Sequence, residues 1–496
     1  MALPKYLNWL AFSVAALCAA LLAVRVATSI SLAEPLHVQT SGAEYESLYG
    51  VWRRTQGQPV HIDRYQPPYV AVMYNWLFYQ AYGTFTKAAL AAFALAEAWL
   101  PTIARLLTLI GVAAGTAVAY AGFARAAGSD TPGGHILALA FAVAAIAGPL
   151  IGFWAVTVRP DVWAMTFEIA GALLFLYLLP KRRSAALAAV AAAAYLAWAM
   201  KQSNVSLLVA VGLFLMVRRA WRELAAMVVA MALAFAMTFA AGSPQYVKNV
   251  LFVGYPLDYS FDRGLRNIAN FAIKSAPGLA LLLGAVIARG RSRRVWAEIV
   301  ADDAALFAGL GAAVSGGLAL LTCFQVGGAE NYFFTFAFFA VLAGFALMPR
   351  AAHGGWTGPA AIVVSAGWLV LGAAVTAVLA GAVGVTDLRE QHRQNLATKR
   401  CVDPLPRPIF VNNPFMALPW LTPAGEHFIL SYVYDKERRL GRAFGGGGLG
   451  GYVGRGHFRT IVLGGDRVPE RLDGASLAGY RTADVRCPGL TILQRR

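Results

Sequence analysis

Residues 162–217 read VWAMTFEIAGALLFLYLLPKRRSAALAAVAAAAYLAWAMKQSNVSLLVAVGLFLMV. Three apolar runs, 162–179, 185–200 and 204–217, are joined by Lys181-Arg182-Arg183 at one junction and Lys201-Gln202-Ser203 at the next. A helix of about 20 predominantly apolar residues crosses a bilayer core of about 30 Å. The runs therefore predict antiparallel membrane helices whose ends alternate between the two faces. Short loops rich in Lys and Arg stay cytoplasmic, so the KRR junction faces inward and the KQS junction outward.

The pattern extends in both directions. Apolar runs precede this stretch at 7–30, 103–124 and 135–156, and follow it at 224–242, 274–288, 304–324, 331–348 and 359–385, about eleven spans in all. With the N-terminus inside, Arg218-Arg219 with Arg222, the set Arg289, Arg291, Arg293 and Arg294, and Arg350 all join the KRR side. The first run exceeds a secretory h-region of about 7–15 residues, which favours an uncleaved helix over a signal peptide cut after Ala33. The stretch 69–100 either lies at the interface or adds two spans, for about thirteen; parity is the same either way.

Composition agrees. Of 496 residues, 58% are hydrophobic and 14% charged, at a mean hydropathy of +0.57, whereas soluble domains carry about 25% charged residues. A soluble enzyme is excluded. The net charge of +17 points to anionic lipid headgroups and phosphorylated lipids, not to nucleic acid, because most of the chain lies in hydrocarbon. No His/Cys set has zinc spacing.

The expected fold class is thus an α-helical polytopic membrane protein, 1–385, with outer loops 31–68 and 243–273, followed by a small extramembrane α/β domain, 386–496. That tail holds the strand-like runs PIFVNN, HFILSYVY, FRTIVLGG and LTILQRR. Its FGGGGLGGYVGRG (444–456) contains a GxGxxG match, but without strand-to-helix context it reads as a flexible loop. Cys401 and Cys487 bracket the tail and can form one disulfide if it lies in an oxidising compartment. Cys18 and Cys323 sit in apolar runs as small hydrophobes.

Chemistry concentrates on the outer side. The first loop carries Glu44 and Glu46, either of which can act as a general base near the membrane surface. It also carries Arg53, Arg54 and Arg64, which can hold a phosphate in bidentate fashion, and Tyr65 with Pro67-Pro68. Arg159-Pro160-Asp161, Lys201-Gln202-Ser203 and Glu330-Asn331-Tyr332 lie at outer helix ends, where ionisable residues are functional hypotheses by default. Lys248, Arg263 and Arg266 add positive charge on the same side, against the usual bias. Two or three carboxylates among Glu44, Glu46 and Asp161 can hold a hard divalent cation; no other cofactor is implied.

The order of these elements resembles the GT-C superfamily of integral-membrane glycosyltransferases, the bacterial branch that uses polyprenyl-phosphate-linked sugars. The motifs are an acidic first loop, the Gly57-Gln58-Pro59 turn, Pro67-Pro68 with aromatics, R-P-D, K-Q-S, N-Y-F and a closing soluble tail. The resemblance spans most of the chain as an ordered set of weak motifs. It implies sugar transfer, with inversion, from a polyprenyl phosphate to a lipid or glycan acceptor on the periplasmic face of a bacterial inner membrane. The N-terminus would be cytoplasmic and the tail periplasmic. Carried over by position, it implies Glu44 or Glu46 as base and Arg64, Arg159 and Lys201 on the donor phosphate. Arg53, Arg54, Lys248 and Arg263 stand in reserve, and Tyr65, Asp161, Gln202, Glu330, Asn331 and Tyr332 line the sugar pocket. Two departures matter. Relatives have Asp-Glu where this chain has Glu44-Tyr45-Glu46, and Lys-Pro-Pro where it has Gln66-Pro67-Pro68. A transporter, flippase or ligase of lipid-linked glycans is the alternative. No internal repeat supports a transporter of repeated halves. A scaffold whose tail binds a partner would make the first-loop acids dispensable.

Overall fold

The structure, a computed structural model, describes residues 5–42, 44–127, 131–253, 258–289, 293–348, 358–381, 388–422, 428–430, 432–464, 472, 477–485, 487 and 489–496. Arg291 and Arg350 lie outside the described residues, as do the side chains of Arg289, Arg293 and Arg294. Among the described residues eight helices are long and apolar enough to cross a membrane. These are Lys5–Ser29, Glu97–Ala127, Asp161–Leu178, Arg183–Met200, Trp221–Ala241, Asp303–Thr322, Glu330–Leu347 and Gly358–Leu379. The bent pair Phe261–Lys274 and Ala276–Ala288, broken by 76°, can count as a ninth. With the shorter apolar helices Pro132–Ala147 and Ser206–Val217, these account for every apolar run read from the sequence. The fold is a polytopic helical membrane protein. In the ambiguous stretch, Trp76–Ala92 forms a helix of 17 residues, which at about 1.5 Å per residue reaches about 26 Å, short of a hydrocarbon core of about 30 Å.

The chain divides into two compact units. The first comprises Met1–Ala27, Thr108–Thr238 and Leu257–Thr386. Its core is a continuous apolar cluster in which Phe123 stacks on Phe338 at 5.3 Å and Phe141 packs against Trp368 at 4.9 Å. Hydrophobicity cannot drive helices together in lipid, so close approach of small residues does. A Cβ at Gly311 would lie 2.2 Å from the Phe339 ring, so only glycine lets helices Asp303–Thr322 and Phe334–Leu347 meet there.

The second unit comprises Thr28–Leu107, Phe239–Pro256 and Asp387–Arg496. It holds a four-stranded sheet in the order β1-β2-β4-β3, with β1 Ile409–Val411, β2 Thr460–Gly464, β3 Tyr480–Thr482 and β4 Leu490–Arg495. β1 runs parallel to β2 with Ile409 opposite Thr460, whereas β4 is antiparallel to both β2 and β3. The aromatic residue after Pro67-Pro68 belongs to the core of this sheet: Tyr69 packs with Phe410, Phe428, Tyr434 and Phe458. The Pro68 carbonyl also accepts from Ile429 N at 2.9 Å, and that of Tyr65 from Gly445 N at 2.7 Å.

Three of the four expected strands form. The fourth, HFILSYVY, does not: its described part continues as helix Tyr432–Arg439, because Phe428, Leu430 and Tyr434 are buried by tertiary packing without a ladder. β3, which carries two exposed residues in three, gave no hydropathy signal. The expectation of a flexible glycine loop is also corrected. Gly445–Gly447 is a 3₁₀ turn and Gly448–Gly454 a helical turn, anchored by buried Leu449 and Val453. Positive φ at Gly446, Gly447 and Gly448 explains the composition, since only glycine adopts three such residues in a row without strain.

Cys401 and Cys487 form a disulfide with a Cα–Cα separation of 6.0 Å, closing a loop of sequence separation 86. Chain-entropy arguments make a loop of this length worth about 3–5 kcal/mol. Cys401→Ser/Cys487→Ser is therefore expected to lower the melting temperature and expose the tail to protease, and an unchanged melting curve would contradict this.

The loop before helix Glu44–Thr55 is tied to helix Leu388–Val402. His37 N donates to His392 Nδ1 at 3.0 Å, Gln39 N to Gln391 Oε1 at 2.9 Å, and Asn395 Nδ2 to the His37 carbonyl at 2.8 Å. Burial pushes the His37 imidazole down to about 4, helped by His392 and Lys399. Burial also lowers His392, which Glu34 partly offsets and Arg389 reinforces. An unfolded histidine titrates near 6.5. As pH falls from about 6.5 toward 4, the unfolded chain takes up protons that the folded chain refuses, so stability declines across that window and is flat above it. Melting temperature followed against pH should show this decline, with a shallower slope in His37→Phe; equal slopes would remove His37 as a cause.

Candidate functional site

In the first unit Pro160 precedes helix Asp161–Leu178 at its N-cap, with Asp161 in the first turn, where the helix dipole favours a carboxylate. Asp161 Oδ1 accepts from Lys201 Nζ at 2.6 Å and Asn331 Nδ2 at 2.5 Å, and Oδ2 lies 3.4 Å from Arg159 Nε. Lys201 terminates helix Arg183–Met200 by turning to extended backbone. Asn331 and Tyr332 sit on the 3₁₀ turn Glu330–Phe333, which opens helix Phe334–Leu347. The Arg159 guanidinium lies over Trp154 at 4.2 Å and Lys201 Nζ over the Tyr332 ring at 4.9 Å. Glu330 is hydrogen-bonded to Lys274, and Gln202 is half-buried in the turn after Lys201. Asp161 and Lys201 are only 3% and 7% exposed. Two cations on one carboxylate leave a net positive charge in a poorly solvated place, where it attracts an anion more strongly than in water.

Seven residues further along the helix, and so on the same face, Glu168 makes a second clamp. It accepts from Thr335 Oγ1 at 2.6 Å, Asn204 Nδ2 at 3.1 Å and Leu207 N at 3.1 Å. The two carboxylates of one helix thus hold the same two segments, 201–207 and 331–335. Glu168 also satisfies an orphan N–H at the start of helix Ser206–Val217. The sequence reading missed it. The signal was present: a single acid in an apolar run, two turns from Asp161.

The first-loop residues belong to the second unit and form separate local groups. Glu44 is fully buried and opens helix Glu44–Thr55. Arg105 Nε and Nη2 donate to its two oxygens at 3.0 and 2.9 Å, and Thr40 N donates at 2.7 Å. Arg105 further donates to the carbonyls of Ser29 and Val38 at 3.0 and 2.7 Å. Glu46 is 2% exposed in the same turn. Arg64 is already engaged: its Nε donates to both oxygens of Glu437 at 2.9 and 3.1 Å, Nη1 to Asn249 Oδ1 at 3.1 Å and Nη2 to Tyr65 OH at 3.2 Å. Tyr65 meets the Phe444 ring edge-on at 5.4 Å. Arg53 donates to the Pro59 carbonyl at 2.7 Å. Arg54 lines a cavity of about 390 Å³ with His61, Trp76 and Gln80. Lys248 is exposed and Arg263, in the first unit, is half-buried.

Among the described residues no three His, Cys, Asp or Glu converge as metal ligands. Glu44 faces Arg105, and Asp161 faces Lys201 and Arg159. Carboxylates already neutralised by cations do not fit a divalent ion.

No protein-family model matches the chain, and no curated protein matches it in sequence. In three dimensions it is similar to the crystal structure of ArnT from Cupriavidus metallidurans in the apo state, with a TM-score of 0.57 at 14% identity over 96% of each chain. The likeness is one of fold and runs from end to end of the chain.

Proposed function

We propose that this protein is a membrane glycosyltransferase that moves a sugar from a polyprenyl phosphate to a lipid or glycan acceptor on the outer face of the membrane. The observation that carries the reading is the buried, net-positive cluster of Arg159, Asp161 and Lys201 at a helix mouth, and the GT-C fold shared with ArnT supports it. The acceptor hydroxyl attacks the sugar C1 from the face opposite the phosphate and gives its proton to a first-loop carboxylate. The bond from C1 to the phosphate oxygen breaks with inversion, and the electron pair leaves on the phosphate. Lys201 and Arg159 stabilise that departing charge, while Asn331 and Tyr332 line the sugar side. Arg64, whose charge is answered by Glu437, acts as a positioning residue for the first loop. Glu44 is held by Arg105 and Thr40, and of the two first-loop carboxylates we take Glu46 as the base.

The test is release of free polyprenyl phosphate by the purified protein from a panel of polyprenyl-phosphate sugars with acceptor lipid extract present. Glu46→Gln should lower release by about 10²–10⁴-fold, the range of general-base contributions, at unchanged abundance. Full release by this variant would remove the base, and no release by folded wild type from any donor would remove the reading.

A further inference from the structure

The helices that carry Asp161 and Asn331 at one end frame a cavity at the other, about 27 Å away along an 18-residue helix. It measures about 590 Å³, within the range of about 300–1,000 Å³ of small-molecule sites. Its walls are apolar, formed by Leu173, Leu174, Leu176, Leu342 and Ala346. Gly122 opens the cleft, since a Cβ there would come within 2.4 Å of Leu173.

The mouth is charged in a particular pattern. Arg125, in the last turn of helix Leu100–Ala127, and Lys181, just after helix Asp161–Leu178, both lie over the ring of Tyr177, at 5.3 and 4.1 Å. The ring face attracts each cation, but two cations on one ring repel each other, and an anion set between them relieves that repulsion. Beside them Asp302 and Asp303 open helix Asp303–Thr322. Asp302 caps the helix by accepting from Ala304 N and Ala305 N at 2.8 and 3.1 Å. Asp303 pairs with Arg218, its side chain 54% exposed. A cation pair beside two acids, one of them shared with Arg218, at the rim of a greasy cleft in a membrane complements a zwitterionic amphiphile better than a purely anionic one.

We infer that this cavity binds one glycerophospholipid whose headgroup carries a phosphate and a primary ammonium. The phosphate rests on Arg125 and Lys181, the ammonium faces Asp302 and Asp303, and an acyl chain fills the cleft. This site is independent of the sugar-transfer reading.

Native mass spectrometry of the purified full chain, with phosphatidylethanolamine, phosphatidylglycerol or phosphatidylcholine added at equal amounts, tests it. One phosphatidylethanolamine per chain should be retained, about tenfold more than either other lipid. Arg125→Ala, and Leu174→Trp, which obstructs the cleft from a position 44% exposed, should each reduce that retention about tenfold at unchanged melting temperature. If either melts early, Lys181→Ala at an exposed position carries the same expectation. Equal retention of all three lipids, or undiminished retention in the variants, overturns the proposal.

Discussion

Arg105→Met should destabilise the protein by about 3–5 kcal/mol, the range for removing one partner of a buried ion pair. Arg105 and Glu44 have side chains with no exposed surface, so the variant leaves a carboxylate in a dry place with its two strongest donors gone. The same side chain holds the carbonyls of Ser29 and Val38, so the chain entering helix Glu44–Thr55 loses its anchor as well. The expected result is low yield and a melting temperature many degrees below wild type. Adding Glu44→Gln removes the stranded charge and should recover part of the loss, while Glu44→Gln alone leaves Arg105 two backbone carbonyls. An Arg105→Met protein that melts like wild type would mean that the pair contributes nothing. This measurement also bears on the base: a carboxylate required by the fold is poorly placed to exchange protons in each turnover.

Lys201→Met carries the second large effect, a loss of about 10²–10³-fold in polyprenyl-phosphate release, the magnitude expected when a preorganised charge-stabilising group is removed from a transition state. The methionine keeps the stem over Tyr332 but takes the charge from beside Asp161. The cluster then drops from net positive to neutral, with Arg159 alone against the carboxylate. Because Lys201 also anchors Asp161, some loss of stability will accompany the loss of activity, and a double-mutant cycle separates the two. Asp161→Asn/Lys201→Met removes both charges of that pair, leaves the new amide to Asn331 and makes Arg159 the one charge of the cluster, which is then net positive again. It should regain melting temperature but not release. Recovery of release in the double variant would show that Lys201 serves only to neutralise Asp161.

The membrane architecture was legible in the residue order because hydrocarbon leaves few alternatives: a backbone in lipid must satisfy its own hydrogen bonds, so an apolar run becomes a helix. That is why 162–179 and 185–200 were read to within a residue or two of Asp161–Leu178 and Arg183–Met200. The tail was harder. HFILSYVY has strand composition, but 428–430 are irregular and its last three residues open a helix, and FGGGGLGGYVGRG has linker composition but is packed into turns. Both answer to neighbours distant in sequence, Tyr69 among them.

Periodicity and charge placement by themselves determined a polytopic bundle, the ionisable residues at its helix ends and the adjacency of Asp161 to Arg159. Only the tertiary structure decided which of those charges answer each other. It gave Glu44 to Arg105 and Arg64 to Glu437, and it brought Lys201 and Asn331 onto one oxygen of Asp161. The physical reason is range. Transfer of a side chain from water to lipid depends on local composition alone, whereas an ion pair acts over a few ångströms between residues as far apart in sequence as Arg64 and Glu437, and no spacing rule records who will meet.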